Sequence, residues 1–153
     1  MTDFYFAYGS NMGRSRLEER IGSVEPVGAA CLEGFRLVFN KPSKDGSGKA
    51  NLVSAQGSVA WGVVWRIGYD RWSALDPFEP GYQRIVLQAR TRADAAVRVG
   101  VYLHPATGRD IPPFDWYIDH LIVGAREHAL PQDWLDALIL VRGRAHPTRP
   151  SET

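Results

Sequence analysis

Residues 4–12 of the chain, FYFAYGSNM, hold the junction on which the fold turns. An aromatic-rich run of strand character ends abruptly on three small residues, Gly9, Ser10 and Asn11, and GRSRLEER follows with helical spacing. Leu17 and Ile21 share one face of that helix, and Gly22 ends it. A strand passed to a helix through so short a turn presents backbone N–H groups that have no intrahelical acceptor. They can receive a carboxylate or a developing oxyanion, and Gly9 allows close backbone approach. Equally, Asn11 can act simply as a helix cap. On its own the stretch leaves both open.

Working outward, residues 25–39 (EPVGAACLEGFRLVF) have strand character broken by glycines, which predicts two short strands or one bulged strand. Residues 40–51 (NKPSKDGSGKAN) show no hydrophobic periodicity and are expected to form a polar loop. SVAWGVVWRI, between Gly57 and Gly68, is the clearest strand. YDRWSALD fits about two helical turns with Asp70 as N-cap, and Pro77 forbids easy continuation. YQRIVLQARTR and AVRVGVYLH pair as a hairpin around ADAA. A helix then places Phe114, Ile118, Leu121, Ile122 and Ala125 on one face. A second opens with Pro131 near its first position and carries Trp134, Leu135, Leu138 and Ile139 as its stripe. A single domain over 1–141 and a disordered polar tail over 142–153 are expected. The order of elements predicts an α+β fold, a mixed, mostly antiparallel sheet or small β-barrel with flanking helices, rather than repeated βαβ units.

Composition narrows the chemistry. The 153 residues include 18 basic and 17 acidic side chains, a net charge of +1, so no global field favours nucleic acid or acidic membranes. A small-molecule ligand remains, and a monomer is the default. Cys31 is the one cysteine, which excludes an intrachain disulfide and a cysteine metal cluster and suits a small buried residue. The N-terminus carries Asp3 rather than a basic region before an apolar run, and no apolar stretch nears the roughly 18 residues of a membrane span. A cytoplasmic protein is expected. His104, His120, His128 and His146 have neither HxH nor HExxH spacing, so no metal site is expected. Ser10 after a strand loosely suggests a nucleophile elbow, but Ala-Tyr-Gly-Ser-Asn departs from Gly-x-Ser-x-Gly and no histidine is marked as its base.

A second stretch, LDPFEPGYQR at residues 75–84, sets Glu79 between prolines and aromatics, with few sequence-local cations before Arg84. Buried, such a carboxylate would have its pKa raised above about 4.3 and become a proton acceptor near neutral pH. Solvated, it would be an ordinary turn residue. Asp76 is expected to cap the short helix or bind backbone.

Together these features resemble the gamma-glutamylcyclotransferase family in its broad sense, which includes AIG2-like and bacterial relatives. The resemblance rests on YFAYGSN at residues 5–11, WGVVWRI, LDPFE at residues 75–79 and the closing stretch WYIDHLIVGAREHALPQDWLDAL, over about residues 4–140. It implies a small barrel that releases 5-oxoproline from a γ-glutamyl amine or γ-glutamyl amino acid, without cofactor or added water. The α-amine would attack its own γ-carbonyl, with Glu79 as general acid and base. Tyr8, Gly9, Ser10 and Asn11 would hold the glutamyl group, and Tyr82 and Tyr117 would position it. Pro80 stands where the family carries glycine directly after the glutamate, and the stretch to Tyr82 is short. That departure keeps a non-catalytic small-molecule binding module of the same fold as the alternative. YGSN in place of Tyr-Gly-Ser-Leu argues against the glutathione-specific branch.

Overall fold

The computed structural model describes residues 1–105 and 107–147. Five strands close into a barrel: β1 (Thr2–Ala7), β2 (Glu25–Pro42), β3 (Gly48–Gly68), β4 (Gln83–Thr91) and β5 (Ala96–Leu103), in the spatial order β1-β3-β2-β4-β5. The pairings are antiparallel except the closing seam, where β1 meets β5 in parallel at Tyr5 and Gly100. Four helices flank it: α1 (Arg14–Ile21), the single turn α2 (Trp72–Leu75), α3 (Asp115–Glu127) and α4 (Gln132–Arg144). The expected mixed, mostly antiparallel barrel with flanking helices is the fold observed.

The glycine-broken segment is one bulged strand, β2, whose register against β3 shifts at 26–28, 33–35 and 38–41. Bulges sharpen twist and bend a strand, which an 18-residue strand needs to wrap a small barrel. The segment 40–51 corrects the expected loop. β2 runs to Pro42, β3 starts at Gly48, and a tight turn joins them, with Gly46 N–H donating to Ser43 O at 3.0 Å. Hydrophobic alternation is missing because the inward residues here are polar and paired with one another. Asn51, fully buried, donates Nδ2–H to Asn40 Oδ1 and to His104 O, and accepts from His104 N–H, each at 2.9 Å. Satisfied in this way, buried amides are tolerated in a strand.

The core joins barrel and helices through Phe6, Trp65, Ile67, Leu17, Leu121 and Leu138, all almost inaccessible to water. α3 carries its expected face inward, whereas Ile139 of the expected α4 stripe is 42% exposed and Leu138 alone of the four is buried. Asp70 makes no side-chain cap; Ser73 Oγ–H instead donates to its carbonyl oxygen at 2.9 Å. The tail boundary also moves: α4 continues through Arg144, and His146 N–H donates to Pro113 O at 2.8 Å while its ring stacks on Phe114. Residues 148–153 of the expected tail lie outside the described residues. No described helix is long and apolar enough to cross a membrane.

Candidate active site

β1 ends at Ala7, and a 3-10 turn, Ser10–Met12, carries the chain into α1. Met12 N–H closes the turn on Gly9 O at 3.2 Å, leaving the N–H groups before it outside that ladder. Two contacts clamp the turn. Trp65 Nε1–H on β3 donates to Asn11 O at 3.1 Å. α3 presses on it through Gly124, where a Cβ would lie 2.4 Å from Met12 Cβ, so only glycine lets the helix come so close.

Asn11 does not cap α1; no side-chain cap bond exists there. Its Nδ2 donates to Tyr5 Oη at 3.0 Å and to Glu79 Oε1 at 3.1 Å, while Arg20 Nη1–H donates to its Oδ1 at 3.1 Å. Arg20 thereby fixes which end of the amide faces the carboxylate, and its guanidinium lies 4.9 Å from the centre of the Phe78 ring. Asn11 is 3% exposed, so these bonds form in a low-dielectric setting where orientation matters.

Glu79 comes from the connection between β3 and β4. After α2, a 3-10 turn containing Pro77 ends with Glu79 N–H bonded to Asp76 O at 3.0 Å. Asp76 caps nothing with its side chain; it accepts from Tyr102 O–H at 2.5 Å and Arg84 Nε–H at 3.3 Å, pinning this segment to β4 and β5. The Pro80 insertion has a simple geometry. Tyr82 N–H donates to Glu79 O at 3.2 Å across a β-turn with proline second and Gly81, at φ +83°, third. That is the type II pattern, and it returns Tyr82 to the cavity within two residues.

The two halves meet at a cavity of about 220 Å³. Tyr8, Gly9, Ser10, Asn11 and Glu79 line it, and so do Tyr82 and Tyr117. Every site residue expected from sequence is therefore on one wall or another. Tyr8 O–H donates to Tyr102 O at 2.5 Å, which leaves its ring and backbone to face a ligand. Tyr82 O–H donates to Ala50 O at 2.6 Å, and Ala50 N–H donates to Tyr117 Oη at 3.0 Å. By donor accounting the Tyr117 hydroxyl proton and the Tyr82 lone pairs remain for a ligand. Burial pushes all three phenols above their ordinary value and keeps them neutral.

Burial also raises Glu79, from 4.5 to about 7, against the opposing pull of Arg20, Lys41, Arg16 and the Asn11 amide. Sequence inspection missed those cations, together with Tyr5 and Lys49. Arg16 and Arg20 stand four apart on α1, off the Leu17/Ile21 face, which was a usable sign that they point together. Lys41 and Lys49 were hidden in the segment expected to be loop. No histidine is among the described lining residues, so Ser10 has no imidazole base there. Among the described residues no three His, Cys, Asp or Glu side chains gather as a metal site.

A neutral-pH carboxylate facing a donor-rich turn invites comparison with known proteins. The family described as gamma-glutamyl cyclotransferase, AIG2-like, matches residues 5–118. A mouse protein named gamma-glutamylcyclotransferase is 31% identical over 146 residues, covering 90% of this chain and 77% of its own. The human protein of that name is 28% identical, over 97% of this chain and 83% of its own. A solved structure named gamma-glutamyl cyclotransferase superposes with a TM-score of 0.85 at 27% identity, covering 97% of this chain and 90% of that one. The chain belongs to the AIG2-like gamma-glutamyl cyclotransferase family.

Proposed function

We propose that this protein cleaves a γ-glutamyl amide by cyclisation, releasing 5-oxoproline and an amine, with Glu79 moving the proton. The observation that carries it is Glu79 at the cavity wall, with a pKa near 7 and its Oε1 held by Asn11. An α-ammonium of pKa about 8 must lose a proton before it can attack, and a carboxylate near 7 is well matched as acceptor. The freed amine attacks the γ-carbonyl carbon, and a tetrahedral oxyanion forms. Glu79, now protonated, returns the proton to the leaving nitrogen. The C–N bond breaks, and the second proton of the attacking nitrogen passes through Glu79 to the departing amine, so a neutral lactam and an ammonium leave and the proton count closes without water.

The turn at Tyr8, Gly9, Ser10 and Asn11 holds the glutamyl portion through backbone N–H groups. The Tyr117 hydroxyl adds a neutral donor to negative oxygen, and Tyr82 Oη an acceptor to the ammonium. Ser10 acts as a backbone donor, not a nucleophile. Because nucleophile and electrophile belong to one molecule, the site has only to fold the glutamyl chain into its attacking conformer, which a small rigid cavity can do.

The non-catalytic alternative drew on Pro80. The type II turn accommodates that proline without displacing Glu79 or Tyr82 from the cavity wall, which removes its support. Mass spectrometry for 5-oxoproline across a panel of γ-glutamyl compounds tests the proposal. Release that depends on Glu79 is the expected result; binding of glutamate or 5-oxoproline with no turnover on any member would refute catalysis.

A further inference from the structure

Five tyrosines stand among the described lining residues of the cavity, and their hydroxyl hydrogens do not all have acceptors. Tyr8 donates to Tyr102 O, Tyr82 to Ala50 O and Tyr102 to Asp76 Oδ1. Tyr117 accepts from Ala50 N–H and keeps its hydrogen. Tyr5, on β1, also keeps its hydrogen. Its Oη accepts from Asn11 Nδ2 at 3.0 Å, and no acceptor for its own hydrogen stands within reach among the described residues. A buried phenol with an unmatched donor is costly, and the side left open to Tyr5 is the cavity that it lines.

The ring is held in place. Trp72 and Tyr102 meet it edge-on, with ring centres at 5.6 and 5.9 Å, and Trp72 is tied by its Nε1–H to Asp3 Oδ2 at 2.9 Å. The closing seam of the barrel makes that packing possible. Tyr5 pairs there with Gly100, where a Cβ would lie 2.7 Å from Trp72 Cη2. Burial raises the Tyr5 phenol far above its ordinary value, and the charge of Glu79 adds to this, so it is a donor that does not ionise.

Asn11 sets where the hydroxyl stands relative to Glu79. Its two amide hydrogens go one to Tyr5 Oη and one to Glu79 Oε1, at 3.0 and 3.1 Å. Two such bonds, splayed at the trigonal angle, hold their acceptors about 5 Å apart, too far for Tyr5 to donate to that Oε1. A carbon bearing one oxygen and one nitrogen fits this gap, its oxygen toward Tyr5 and its nitrogen toward Glu79. Glu79 serves the α-amine and then the leaving nitrogen, and both are joined to the γ-carbon in the tetrahedral stage. The oxygen on that same carbon is the nearest acceptor for Tyr5, and the α-carboxylate lies further along the chain. Tyr117 comes from the other end of the turn, its Oη 3.4 Å from where a Cβ on Gly9 would stand. We propose that Tyr5 is a further catalytic residue, whose hydroxyl donates to the γ-carbonyl oxygen and binds it more tightly as negative charge gathers there. The hydrogen stays on the phenol throughout, so the proton count carried by Glu79 is unchanged. This rests on the cyclotransferase function proposed above.

The test sets Tyr5→Phe beside the wild-type chain, with the γ-glutamyl compound of the panel that wild type turns over fastest. The variant should lose about 10²-fold in kcat, with KM changed less than about threefold. Infrared spectra of bound 5-oxoproline, labelled with carbon-13 at its lactam carbonyl, separate donation from support of Asn11. The carbonyl stretch should be lowered in wild type and should rise in Tyr5→Phe toward its value in an aprotic solvent. An unchanged kcat, or a lost kcat with an unmoved stretch, would overturn the assignment. Should Tyr5→Phe fail to fold by circular dichroism, 3-fluorotyrosine placed at position 5 keeps the shape and makes the hydroxyl more acidic. It should lower the stretch further, and an unmoved stretch overturns the donor. If wild type forms 5-oxoproline from no member of the panel, the cyclotransferase function itself fails. The infrared comparison then decides the donor: a stretch that rises in Tyr5→Phe supports it, and an unmoved stretch or no binding of 5-oxoproline overturns it.

Discussion

Replacing Glu79 by glutamine separates chemistry from stability in one variant. In Glu79→Gln the amide oxygen can still accept from Asn11 Nδ2, so the hydrogen bond, 3.1 Å in the wild type, survives while the titrating group is lost. Without its proton carrier the enzyme should lose about 10²–10⁴-fold in kcat. Stability should move the other way. In the unfolded chain this carboxyl ionises near 4.5, whereas in the fold it ionises near 7. Between those values the folded protein holds the extra proton, so wild type loses stability as pH rises through that window and levels off above 7. The full interval corresponds to about 3 kcal/mol, and the opening of the cavity to water reduces it to roughly 1–3 kcal/mol. For a chain of this length that is about 3–10 °C in Tm. The variant and wild type should therefore melt together near pH 4.5, and the variant should melt higher by that margin at about pH 8. Scanning calorimetry at half-unit pH steps, beside 5-oxoproline release, measures both. A Tm difference that stays constant across that range would refute the claim that Glu79 is desolvated. Retention of more than about a tenth of kcat would refute its role as proton carrier.

Other perturbations probe the supports of the site. Asn11→Asp sets a second carboxylate against Glu79 and should raise the Glu79 pKa, moving the acid limb of the kcat/KM profile to higher pH; an unmoved limb would deny the contact. Gly124→Ala puts a Cβ about 2.4 Å from Met12 Cβ and 2.9 Å from Gly13 N, so α3 must lift off the turn. It should cost roughly 1–3 kcal/mol in denaturant melts and lower kcat of the folded fraction as well. Loss of stability with unchanged kcat would show that the turn is held without α3. Asn51→Ala removes three buried hydrogen bonds between β3 and its neighbours and should destabilise by roughly 2–4 kcal/mol in urea titration; a change within about 0.5 kcal/mol would mean the amide network is dispensable.

Much of the site was legible along the chain because its parts are local. A strand that stops on Gly9, Ser10 and Asn11, a glutamate boxed by Pro77 and Pro80, and helices with clean apolar stripes all depend on neighbours within a few residues. Steric limits on proline and glycine, and the helical period, act over that range, so sequence alone determined the turn, the carboxylate, the β4–β5 hairpin and α3. Where the side chains facing inward were polar, that rule failed. Asn40 and Asn51 are buried in strands whose pattern reads as loop, because they pair with each other between neighbouring strands and with His104 just past β5, not with residues beside them along the chain. The role of Asn11 likewise needed contacts with Tyr5, Glu79 and Arg20, of which Glu79 is 68 positions away. Desolvation and the nearness of charge are properties of what packs against what. Only the closed barrel decided that Glu79 is buried enough to titrate near 7, and that Arg16, Lys41 and Lys49 crowd one cavity. The sequence determined that a donor-rich turn and a carboxylate exist; the tertiary structure decided that they meet, and in what field.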